Sequence, residues 1–232
     1  MTRRFALLAA ALLLATAAAP RKPVRAMPPP PLGDTVRVAL TTTAGTIEVE
    51  LDHKHAPLTV ENVMRYVDGH LYDGASFYRS MHLNWAEQPA GLIQAGIRVT
   101  TKLLPPVAHE PTSQTGILHK TGTLSLARFT PGTGRSDFSI LLCDMPSLDA
   151  NPADDNPDRQ AGFAAFGHVV AGMDVVRAIW DAPRSPTLGQ GVMKGQMLDP
   201  EIRILTARRI ATPPAAPVPA PTPTTPPPQP AN

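Results

Sequence analysis

Cysteine is all but missing from this chain: Cys143 stands alone among 232 residues. No intramolecular disulfide can form, so the fold is not a disulfide scaffold. Cys143 ends an apolar run and reads as a small core residue. Charge is scarce as well, at 17% of residues with a net of +2 and the basic side chains dispersed. That excludes the electrostatic stripe a nucleic-acid partner needs. The histidines do not cluster: His82, His109, His119 and His168 are scattered, and His53 and His55 only flank a lysine. Zinc-ligand spacing is therefore absent, and neither a metal nor a cofactor is expected. The acidic loop carrying Asp149, Asp154, Asp155 and Asp158 lacks the glycine and closing glutamate of a helix-loop-helix calcium site. Serines occur with no histidine–aspartate pattern beside them, so nucleophilic catalysis has no support in the sequence.

Long apolar runs are also lacking. The one candidate, Phe5 to Ala19, is shorter than the roughly 20 residues of a comfortable membrane span. It follows Arg3 and Arg4 and ends in small residues, so 1–19 reads as a secretory signal. Its removal leaves no stable membrane span, and a periplasmic or secreted location is expected. Proline, in contrast, is abundant at 28 residues, concentrated in a leader at 20–35 and a tail at 211–232. Such stretches form neither ladders nor helices and favour extended polyproline II.

The remaining 36–210 reads as one domain with its own core. Val36 to Leu40 and Ile47 to Leu51 alternate with period two around Ala44-Gly45, the pattern of a hairpin with one wet face. Val60, Val63, Met64 and Val67 form one stripe of a helix that Gly69 stops. Strands are expected at Ser76–Ser80, Gly91–Ile97, Gly122–Ala127, Phe138–Cys143, Phe163–Val169 and about Glu201–Arg209, with a second helix at Met173–Trp180. The fold class is therefore mainly β: a closed eight-stranded antiparallel barrel capped by two α-helices. Closure removes the sheet edges that invite aggregation.

Several ordered segments carry a resemblance: TTAGTIEVEL (42–51), APLTVENV (56–63), YDGxxFYR (72–79), LIQAG (92–96), GTLSLA (122–127) and FGHVVAGMDV (166–175). Together they resemble the cyclophilin family of peptidyl-prolyl cis–trans isomerases, in particular its bacterial periplasmic branch. The resemblance implies rotation about X–Pro bonds in proline-containing polypeptides, here unfolded exported proteins, without metal, cofactor or covalent intermediate. A monomer with no nucleic-acid partner is expected. It places Arg79 as the catalytic residue and Gln94 as its partner. Leu92, Ala127, Arg128, Phe129, Asp137, Phe138, Ser139 and Phe163 fall at substrate-binding positions.

The chain departs from the family pattern where the proline pocket should be. The usual S-Q-F-F is Ser136-Asp137-Phe138-Ser139, so a serine replaces the aromatic floor. Gly91 stands where a phenylalanine precedes Leu92, and Ser80–Ala90 is unusual. Two lost aromatic walls remove about 3–6 kcal/mol of apolar contact, a volume that Phe129 or Trp85 is placed to refill. Asp137 has two roles open to it: orienting Arg79 or occupying the donors that the substrate needs. A cyclophilin-like binding module or holdase with little turnover is the alternative reading, and a barrel that holds a small ligand is the third.

Overall fold

The computed structural model describes residues 29–211, and the secondary-structure elements lie in the compact unit that begins at Pro31. The expected signal, residues 20–28 of the leader and the tail from Thr212 onward lie outside the described residues.

Alternation along the first two strands sets one apolar row inward. Val36, Val38 and Leu40 of β1 (Thr35–Thr42) and Ile47, Val49 and Leu51 of β2 (Gly45–Asp52) are all buried, and the strands pair in the register of the expected hairpin. The other strands are β3 (Ser76–His82), β4 (Gly91–Gly96), β5 (Thr123–Leu126), β6 (Phe138–Leu141), β7 (Ala164–Ala171) and β8 (Met197–Ile210). They close in the order β1-β2-β7-β5-β6-β4-β3-β8, with β8 pairing back on β1. The barrel is the expected fold class. Its last strand starts earlier than expected, at Met197 rather than about Glu201.

The helix α1 (Pro57–Asp68) buries Val60, Val63, Met64 and Val67 as the stripe predicts, together with Tyr66. Its N-cap, Ala56, has no side chain able to cap. The buried Glu110 does so from a distance, accepting from the backbone N–H of Leu58 at 3.1 Å and of Thr59 at 2.7 Å. A carboxylate at a helix N-terminus satisfies orphan donors and meets the positive end of the dipole. Two short helices, α2 (Thr112–Thr115) and α3 (Pro157–Ala161), lie in connections. The last helix, α4 (Met173–Trp180), buries Val176, Ile179 and Trp180. Among the described residues no helix is long and apolar enough to cross a membrane.

Side-chain parity in β6 decides the character of the site. Phe138 is 2% exposed and points into the barrel, where its ring meets Tyr72 edge-on at 5.8 Å and Phe77 at 6.1 Å. It is a core residue and not the substrate-binding residue expected of it. Its neighbour Ser139 takes the opposite face.

Candidate active site

On the outer face of the barrel two rows of side chains run side by side across the strands. One row is polar: Arg79 of β3 pairs with Gln94 of β4, Gln94 with Ser139 of β6, and Ser139 with Ser125 of β5. The next is apolar: Met81, Leu92 and Leu141 pair in the same way, and Met145, Leu83, Cys143 and Leu148 pack with them. Cys143 thus belongs to this outer satellite cluster and is only half-buried.

Arg79 reaches this face because of a bulge. Phe77 points inward and pairs with Ala95, so strict alternation would also send Arg79 into the barrel. The register shifts between them, leaving Tyr78 as the extra residue and bringing Arg79 opposite Gln94. An extra residue in one strand re-aims the side chains beyond it. β8 accommodates the same irregularity, pairing Phe77 with Ile202 but Arg79 with Met197.

The guanidinium is held at two of its nitrogens. Nη1 donates to Gln94 Oε1 at 2.9 Å, and Nε donates to Gln196 Oε1 at 2.8 Å. Gln196 is itself fixed, its Nε2 donating to the Val192 carbonyl at 2.7 Å. Burial pushes the Arg79 pKa below the ordinary arginine value, yet an arginine remains protonated at any physiological pH. Among the described residues no protein acceptor engages Nη2. The result is an oriented, partly desolvated cation with a free donor beside an apolar row.

Asp137 does not touch it. Its carboxylate accepts from the Tyr78 hydroxyl at 2.7 Å and from Ser136 Oγ at 2.9 Å. Desolvation and this carboxylate together raise the Tyr78 pKa far above its ordinary value. Arg98 lies over the Tyr78 ring at 4.4 Å. Of the two roles open to Asp137, the structure shows neither: the carboxylate braces the bulge from beside it.

The remaining expected residues separate into groups. Leu92 and Ser139 sit on this same outer face, next to Arg79 and Gln94, and it is on this face that a substrate groove would lie. Ala127 follows β5, with its N–H on the Asp137 carbonyl at 2.8 Å. The next peptide unit has no backbone partner among the described residues, leaving an open edge at Arg128. The Arg128 side chain folds back over the Phe163 ring at 4.7 Å and donates to the Gly162 carbonyl at 2.6 Å, so it braces the wall of this segment. Phe129 is 92% exposed and Trp85 83% exposed; neither refills the space over Ser139.

Two features escaped the sequence. Gln196 lies in the connection before β8 and belongs to none of the motifs. The other is a Ser–His–Asp chain. His119 Nε2 lies 2.8 Å from Ser125 Oγ, and Nδ1 lies 2.7 Å from Asp149 Oδ1. Asp149 also accepts from the His119 backbone at 3.0 Å. The carboxylate fixes the proton on Nδ1, so Nε2 accepts from the serine. Serine and histidine are buried and the carboxylate is largely covered, and the chain ties β5 to the turn Pro146–Leu148. Among the described residues no group of three or more His, Cys, Asp or Glu side chains is arranged to hold a metal ion.

With this geometry in place, the comparisons with known proteins are direct. The family profile described as cyclophilin type peptidyl-prolyl cis-trans isomerase/CLD matches residues 37–208. A peptidyl-prolyl cis-trans isomerase of Acinetobacter baylyi is 33% identical over 153 residues, covering 64% of this chain and 73% of that protein. Peptidyl-prolyl cis-trans isomerase A of Dickeya dadantii is 35% identical over 143 residues, covering 61% and 70%. The barrel also superposes on a cyclophilin type isomerase from Cryptosporidium parvum with a TM-score of 0.59 at 18% identity, covering 77% of this chain and 99% of that one. The fold and the family match define a cyclophilin-type barrel. The chain belongs to the cyclophilin-type peptidyl-prolyl cis–trans isomerase family, and its enzyme class is the one that family carries.

Proposed function

We propose that the chain catalyses X–Pro rotation by electrostatic stabilisation from Arg79, acting on unfolded exported polypeptides. An X–Pro amide resists rotation by about 18–20 kcal/mol because the nitrogen lone pair is delocalised into the carbonyl. Uncatalysed, it turns over in tens to hundreds of seconds. A donor aimed at the prolyl nitrogen localises that lone pair and weakens the double-bond character. The donor is stronger in a site with little water, and it costs no reorganisation when already fixed. The observation that carries the reading is the two-point tether of Arg79 to Gln94 and Gln196, which among the described residues leaves Nη2 without a protein acceptor.

Met81 and the small exposed part of Leu92 supply apolar contact for the ring, with Leu141 buried beneath them, and the open edge at Arg128 can pair with the peptide backbone. No bond breaks, so no nucleophile or metal is needed. The residues 1–19 support export to the periplasm, and a monomer suffices because the groove is built within one chain. Arg79→Ala should lower turnover of a proline peptide at least tenfold, about 1.4 kcal/mol in the barrier. Unchanged turnover would remove Arg79 from this role.

The serine at the groove floor favours a second reading, in which the barrel binds prolyl segments but turns them over slowly. Ser139→Phe should raise turnover if the pocket is only eroded. Retained binding of unfolded clients with no gain in turnover would support a holdase.

A further inference from the structure

The hydroxyl of Ser139 is the unusual group on the groove face. The residue is 8% exposed, and no hydrogen bond engages its side chain among the described residues. Nor is that hydroxyl sealed away, since among the described residues the fully enclosed side-chain polar atom lacking a partner is Asn62 Oδ1. It is therefore within reach of solvent on the Arg79 face as an unused donor and acceptor.

Its position relative to Arg79 is set by register. Arg79 pairs with Gln94 and Gln94 with Ser139, so the two α-carbons are two strand spacings apart, about 9.6 Å. A prolyl ring whose nitrogen faces the guanidinium turns its far edge, Cβ and Cγ, toward Ser139. Behind it stands Ser125, its proton committed to His119 Nε2 by the Asp149-fixed tautomer, with its oxygen still able to accept. The far end of the ring thus meets hydroxyl groups. An unsubstituted ring that displaces water there leaves a nearly buried hydroxyl unpaired, which costs affinity, whereas a ring with its own hydroxyl satisfies it.

We propose that this groove favours prolyl rings bearing a hydrogen-bonding group on the edge opposite the nitrogen, of which 4-hydroxyproline is the simplest, and that Ser139 is the residue that reads it. The inference rests on the proposed isomerase function.

The test uses the full chain and peptides that differ only in the ring: Ala-Pro and the two epimers of Ala-4-hydroxyproline, each corrected for its uncatalysed rate. For one epimer, the ratio of its kcat/KM to that of the Ala-Pro peptide should be about threefold to tenfold higher in the native chain than in Ser139→Ala. The ratio cancels any loss of folded protein in the variant. Ser139→Phe should shift it further toward plain proline. Turnover of all peptides with equal ratios in native chain and Ser139→Ala would overturn the role of Ser139 and leave the isomerase reading intact. No turnover of the Ala-Pro peptide by the native chain would overturn the isomerase reading itself, and this inference with it.

Discussion

Arg79 and Gln196 are 117 positions apart, yet Arg79 Nε donates to Gln196 Oε1 over 2.8 Å. The contact follows from the way β8 enters the barrel beside β3, with the Ser80 N–H on the Gln196 carbonyl at 2.8 Å. Backbone pairing thus places the amide that orients the guanidinium.

Loss of that amide should therefore act on orientation and not on fold. Gln196→Ala is expected to lower kcat about threefold to tenfold with KM almost unchanged. Its effect on unfolding free energy should stay within about 0.5 kcal/mol, as for a surface substitution away from the core. A rise in KM at constant kcat would place Gln196 in ground-state binding instead.

Charge alone should not replace Arg79. Lysine keeps the cation but carries a compact ammonium without the planar fork that here meets Gln94 and Gln196 together. Arg79→Lys should thus retain less than about a tenth of the native kcat/KM. Recovery of near-native turnover would show that position of charge, and not a fixed donor, is what the reaction needs.

The two departures from the aromatic pocket differ in physical origin, which predicts different outcomes for refilling them. Gly91 has φ of +147°, and a Cβ built there would collide with the Met81 carbonyl oxygen. The backbone itself forbids a side chain. Ser139 lies on an ordinary strand with its side chain on the outer face of the barrel. Gly91→Phe should therefore destabilise the fold by more than about 3 kcal/mol or abolish it, since the strand must shift and the conformation is strained. Ser139→Phe should fold with an unfolding midpoint close to native. Thermal or urea unfolding of the two variants measures this directly.

Much of the barrel was legible because its signals are local. Period-two alternation marked β1 and β2, and the stripe of Val60, Val63, Met64 and Val67 marked α1. The Arg79–Gln94 contact was legible because both residues sit inside short ordered motifs. The features that escaped depend on contacts between distant segments. Phe138 was expected beside Ser139 on the substrate side, whereas alternation along β6 sends the two to opposite faces and gives Phe138 to the core. The bulge at Tyr78 appears only when β3 is laid beside β4. Gln196 belongs to a connection without a motif, and Asp149 meets His119 across 30 positions. No local pattern of serine, histidine and aspartate exists there to be read.

The same His119 makes stability depend on pH. Burial holds its pKa below the ordinary 6.5, against the opposing pull of the Asp149 hydrogen bond and charge. As pH falls past about 6.5 the unfolded chain binds a proton that the folded chain resists. In that window the unfolded state holds more protons, so stability rises with pH. The contribution is fully present above about pH 6.5 and is lost as pH drops through the folded value. His82, also lowered by burial, acts in the same direction. Unfolding free energy should fall between pH 7 and pH 5, with a slope of at most about 1.4 kcal/mol per pH unit for each histidine. His119→Asn removes the titrating group and keeps an amide N–H at the Nδ1 position for Asp149, so its slope should be shallower than the native one even if its absolute stability is lower. Equal slopes in the two proteins, measured by urea unfolding at several pH values, would mean that the buried imidazole carries none of the acid sensitivity.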